Sequence, residues 1–147
     1  MADAATAAAL AVATSSLAAG LAGAACWWLV VTARWPLWLL RGAQVIAGVG
    51  ALAAGTLAAT GFDPADDLYW LYATLPVAVG FFAEQIRIVS AQSVLDARGL
   101  PDAQAVGRLD EAGQRSVIVA ILRRELGVLT IAALVSAFLA MRTLGTI

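Results

Sequence analysis

The residues of this chain best equipped for chemistry lie in two short stretches, "AEQIR" at residues 83–87 and "RREL" at residues 123–126. Glu84 and Arg87 follow a long apolar run, and Arg123, Arg124 and Glu125 precede another. Charges at the edge of hydrocarbon are costly unless they are paired or snorkel to water. If the two flanking helices are antiparallel, both stretches fall at the same level. Glu84 is then expected to pair with Arg124 or Arg123, and Arg87 with Glu125. Arg34 and Arg41 are expected to snorkel to the same headgroup layer. The chemistry implied is ion pairing and attraction for anionic groups, not bond making.

Catalysis has little to work with. The chain has no His, so a His-held haem, a His-bearing metal site, a Ser–His or Cys–His nucleophile and a histidine pH switch are excluded within it. One Cys, Cys26, permits neither an internal disulfide nor a Cys cluster, and it reads as a buried small residue. Ser90, Ser93 and Ser116 lack a histidine base. No G-x-S-x-G, P-loop or H-E-x-x-H motif occurs. The loop "FDPADDL" holds three carboxylates but is short for a hard cation, and Asp66 or Asp67 reads as a helix cap. No catalytic residue, metal ligand or cofactor is expected, no enzyme activity, and no nucleic-acid partner.

The elements that must position these charges are apolar helices. The chain is 147 residues, 62% apolar and 13% charged, with mean hydropathy +0.87. A soluble domain is nearer half apolar and a quarter charged. A single all-α membrane domain, residues 1–147, is expected. Spans are expected at about 6–31 and 36–60, each near the ~20 residues a membrane helix requires. A third helix over about 68–98 and a fourth over about 110–144 should cross and then project beyond the bilayer, again judged on the ~20-residue span. The first segment resembles a signal peptide superficially. It has no positive n-region, and Gly23 stands where a lipobox wants Leu or Val, so it is expected to be retained.

Arginine placement orients the bundle. All nine basic residues are Arg, and eight fall at the first junction or between the third and fourth spans. The positive-inside rule puts that side in the cytoplasm, with both termini out. A multi-pass location in a bacterial plasma membrane follows. Trp27, Trp28, Trp35 and Trp38 would form the inner aromatic belt, and Tyr69, Trp70 and Tyr72 the outer one. Beyond the inner boundary, Ile88, Ala91 and Leu95 keep helical spacing, matched by Val117, Ile118, Ile121 and Leu122. This predicts a cytoplasmic antiparallel hairpin. Gly99 would end its first helix, Pro101-Asp102 would start a short connector, and Asp110 and Glu111 would favour the start of its second.

Small residues recur every four positions in the second span, at Ala43, Ala47, Ala51, Gly55 and Ala59. The first span offers Ser16, Gly20 and Ala24 at the same interval. These two helices are expected to touch along that groove.

The block "AEQIRIVSAQSVLDARGLPDAQAVGRLDEAGQRSVIVAILRRELGV" resembles one seen in small, uncharacterised four-helix membrane proteins of high-GC actinobacteria. The resemblance implies that the excursion is the distinctive part and brings no activity with it. The expected role is a non-enzymatic accessory or scaffold protein. Its hairpin and its Arg-rich inner edge (Arg34, Arg41, Arg123, Arg124) would contact a partner protein or anionic inner-leaflet lipid. The alternative is a homo-oligomeric transporter or channel, its pore between copies and Glu84 and Arg87 at the mouth.

Overall fold

The computed structural model describes residues 1–31 and 33–147. It is all-helical, with α1 at Ala2–Trp28, α2 at Trp35–Ala59, α3 at Leu68–Asp96, α4 at Ala103–Gly107 and α5 at Glu111–Leu144. Helices α1 and α2 are each long and apolar enough to cross a membrane.

The four long helices pack in a ring. α1 lies against α2 and α5, and α3 lies against the same two. Neighbours in the ring are antiparallel. Gly20 of α1 faces Leu134 of α5, while Trp27 faces Gly127. The core is built in layers along the bundle. Cys26, Leu40, Ala43, Ala83, Leu126 and Leu129 share the layer nearest the charged stretches. Ala5, Ala54, Leu57 and Tyr69 close the far end. A separate cluster of Val94, Leu95 and Val117, joined by Leu100, Val106, Leu109 and Ile121, fills the hairpin that α3 and α5 extend past α1 and α2.

The expected contact of the first two helices is present, and two details of it are corrected. The small-residue groove of α1 does not meet α2 alone: it also faces α5. A Cβ on Gly20 would stand 2.6 Å from Leu134 Cδ2, and one on Gly23 would strike Thr130 Oγ1. α1 does meet α2: Ser16 lies by Ala43 and Ala47, Ala13 packs with Ala47, a Cβ on Gly23 would stand 3.3 Å from Leu40 Cδ1, and one on Gly50 would lie 2.6 Å from Val12 Cγ2. The four-residue stripe of α2 does not face inward throughout. Ala43 and Ala47 are buried, Ala51 and Ala24 are half-buried, and Gly55 and Ala59 are exposed. A strict interval of four gains about 40° per step on a 3.6-residue turn, so the stripe rotates out. The face that stays inside runs Leu40, Ala43, Ala47, Ala54 and Leu57.

A third correction concerns the far aromatic belt. Tyr69 is 2% exposed and belongs to the core, meeting Phe62 and Trp70 edge to face at 5.5 and 4.8 Å. At the opposite end Trp27, Trp28, Trp35 and Trp38 are all exposed.

The helix ends are set by local chemistry. Asp66 accepts from Leu68 N at 2.9 Å at the head of α3. Asp102 and Asp110 cap α4 and α5, accepting from Ala105 N at 2.8 Å and Gly113 N at 2.9 Å. At the other ends, α1, α2 and α3 share one device. Val31 N donates to Cys26 O, Phe62 N to Leu57 O and Leu100 N to Leu95 O, each spanning five residues. Such a close turns on a left-handed residue, normally glycine. Gly61 and Gly99 supply it with φ of 78° and 66°, but α1 uses Val30 at φ 53°. A β-branched side chain in that region is strained.

Two outcomes follow for unfolding in detergent micelles. Val30→Gly should raise stability by about 1 kcal/mol by removing the left-handed penalty. Gly20→Val should lower it by about 1–3 kcal/mol through overpacking against Leu134, whereas Gly55→Val, with open space around it, should change it by under about 0.5 kcal/mol.

Candidate functional site

Three helices deliver charge to one level. Arg41 comes from the second turn of α2, Glu84 and Arg87 from the middle of α3, and Glu125 from α5. Each acid, and Arg41, adjoins a buried member of the same core layer: Leu40 beside Arg41, Ala83 beside Glu84, Leu126 beside Glu125. The charges therefore form the lid of that layer.

The central cation is Arg87. Its Nε donates to Glu84 Oε2 at 2.8 Å, and its Nη1 donates to Glu125 Oε1 at 3.0 Å. Arg41 Nη2 donates to Glu84 Oε2 at 3.4 Å and lies 3.9 Å from Glu125 Oε1. Two guanidiniums and two carboxylates make a closed, neutral set. The Glu125 side chain is only 14% exposed and that of Glu84 27%. Charge-assisted bonds of this kind are stronger than neutral ones, and losing one partner leaves the other uncompensated. Glu84 Oε1 and, from α2, Gln44 Nε2 are buried with no hydrogen-bond partner among the described residues.

The expected pairing of Arg87 with Glu125 is present. That of Glu84 with Arg123 or Arg124 is not: Glu84 takes Arg87, one turn along its own helix, and Arg41. Arg41 thus turns inward to the acids instead of standing alone at the headgroup layer. Arg34 is exposed at the head of α2. Arg123 and Arg124 sit on the outer side of α5, where no carboxylate comes within 4.0 Å of either among the described residues.

These two arginines are nonetheless held. The Arg123 guanidinium lies 5.1 Å from the centroid of the Trp27 ring. Arg124 Nη1 donates to Ser93 Oγ across the hairpin. Gly127, one turn after Arg123, admits the Trp27 indole: a Cβ there would stand 3.2 Å from its Nε1. Sequence reasoning missed this stack. The signal was the Arg123–Gly127 spacing of four, a cation and a gap on one helix face.

Beside them a cavity of about 940 Å³ opens along α5 where α1 has ended. Trp27 and Val30 form one wall, Val119 and Ala120 line its floor, and Arg123 and Arg124 face it. Arg115, further out, is tied loosely to Glu111 at 3.7 Å. The arrangement can bind an anion with an apolar body; it offers no nucleophile–base pair.

Comparison with protein-family models, with curated proteins and with solved structures finds no match to this chain.

The closed set and the outer pair should respond differently to neutralisation. Glu125→Gln should cost about 1–3 kcal/mol in micellar unfolding, because Arg87 loses a charge-assisted partner. Arg123→Gln should cost under about 1 kcal/mol, the range of an exposed cation's contacts.

Proposed function

We propose that this chain is a multi-pass membrane protein whose four long helices all cross the bilayer. Both termini face outward and the α3–α5 hairpin stands in the cytoplasm. Its role is that of an accessory or scaffold protein. The hairpin presents a surface to a partner, and the Arg-rich edge holds the bundle at an anionic inner leaflet.

One observation carries this reading. At the level where α1 ends, at Trp28, and α2 begins, at Trp35, α3 and α5 continue together and the charges gather. Trp27, Trp28, Trp35 and Trp38 lie exposed at that level, as residues do at a membrane interface. On the far side of it, residues 127–144 of α5 contain a single ionisable residue, Arg142. The first sixteen residues of α3, Leu68–Ala83, contain no Asp, Glu, Lys, Arg or His. Beyond the boundary the hairpin has its own core but leaves Val89 and Ile118 exposed, which suits a partner-covered surface. Arginines near an anionic leaflet contribute about 1 kcal/mol each to attraction. The acids at this level are consumed in ion pairs, which leaves Glu84 poorly suited to line a pore between copies.

The topology is tested with Gln104→Cys in a Cys26→Ala background. An impermeant thiol reagent should label it in inverted vesicles and not in intact cells. Labelling from outside would overturn the orientation. Purification in mild detergent should retain a heterologous partner in fixed ratio, lost on Ile118→Glu with the bundle still helical. A symmetric homo-oligomer with no other component would favour the transport reading instead.

A further inference from the structure

Resting on that membrane reading, we propose that the cavity between the end of α1 and the flank of α5 is a site for one anionic phospholipid. Arg123 and Arg124 would bind its phosphate, and Trp27 would pack against it.

The argument starts from charge. Of the four arginines gathered near this level on α2, α3 and α5, Arg41 and Arg87 are neutralised by Glu84 and Glu125. Arg123 and Arg124 are not, and both face the same cavity. Two adjacent guanidiniums of one sign with no acid between them repel each other. Such a pair is relieved by an anion of net negative charge.

Geometry adds the type of anion. The Arg123 guanidinium lies over the Trp27 ring and donates no hydrogen bond among the described residues, which leaves its N–H groups available. An edge-on guanidinium is the fork that matches two oxygens of a phosphate. Arg124 spends one donor on Ser93 and keeps others. Both side chains are thus positioned before any ligand arrives, which reduces the ordering cost of binding.

The rest of the lining selects a lipid over a free phosphate. Trp27 and Val30, at the end of α1, offer apolar surface that an inorganic ion would leave unused, while Val119 and Ala120 lie on the hairpin side of the arginines. Trp28 and Leu29, which lie in the chain between the lining residues Trp27 and Val30, are 78% and 71% exposed. In the membrane reading these lie in the headgroup layer, so the molecules nearest the site are phospholipids. An acyl chain leaving the site toward the bilayer would meet Leu21 and Ile131, both exposed on the outer surfaces of α1 and α5. Glu111, with Arg115, stands at the outer end of the cavity, more than two turns of α5 from Arg123.

The site is tested by native mass spectrometry of the full chain in detergent, titrated with phosphatidylglycerol or with phosphatidylcholine of the same acyl chains. The first phosphatidylglycerol should bind about tenfold more tightly than the first phosphatidylcholine, the worth of one charge-assisted contact. Arg123→Gln with Arg124→Gln should abolish that preference. Arg142→Gln, at the other end of the bundle, and Arg108→Gln, at the hairpin tip, should keep it. Helicity by circular dichroism shows that each variant is folded. A second readout uses Trp27 alone, the other four tryptophans replaced by Phe. Its fluorescence in vesicles should be quenched more by brominated phosphatidylglycerol than by the brominated choline lipid. Equal binding of the two lipids, or a preference that survives the double substitution, overturns the proposal. So does displacement of the glycerol lipid by millimolar inorganic phosphate, which would make this a free-anion site. A chain that enters vesicles but shows no lipid preference sinks this site and spares the membrane reading. A chain that does not enter vesicles sinks both.

Discussion

Arg87 stands between two carboxylates from different helices, all three partly buried, and the rest of the bundle is arranged around keeping that set neutral. A guanidinium or a carboxylate left alone at such a site is strongly disfavoured, and the attraction between opposite charges grows as the dielectric falls. Glu84 and Glu125 therefore draw in two cations, Arg87 of α3 and Arg41 of α2. Because Leu40, Ala83 and Leu126 adjoin these charges and belong to one core layer, closing the ion set also fixes the depth of three helices relative to one another.

That fixed depth divides the molecule. On one side lie apolar helices packed through small residues, where Gly20, Gly23 and Gly50 let neighbours approach closely. Close approach of this kind lets helix backbones pack tightly along their length. On the other side α3 and α5 continue as a hairpin with a core of their own, closed by Asp102 and Asp110 caps and the turn at Gly99.

The boundary between them also carries the one non-glycine residue with a left-handed backbone among the described residues. Val30 occupies the left-handed position that glycine holds at the ends of α2 and α3. It lines the same cavity that Arg123 and Arg124 face. Strain of this sort tends to persist where a local shape is in use, and here the shape is the wall that α1 offers to the flank of α5.

Sequence by itself determined the helical class, the approximate extent of each long helix and the turns that break them. These depend on local patterns: apolar runs, Asp before a helix, Gly after one. It also placed Glu84, Arg87, Arg123, Arg124 and Glu125 at a common level, since equal distances along antiparallel helices are countable. It did not decide who pairs with whom. Glu84 could reach Arg87 within its own turn, Arg41 on a helix to one side, or Arg123 and Arg124 on a third. The choice depends on the rotation of each helix about its axis. That rotation is set by packing against all neighbours at once, as the drift of the α2 stripe and the turn of Gly20 toward α5 both show. Only the tertiary structure fixes it, because a one-dimensional pattern gives the height of a side chain on a helix more firmly than its bearing.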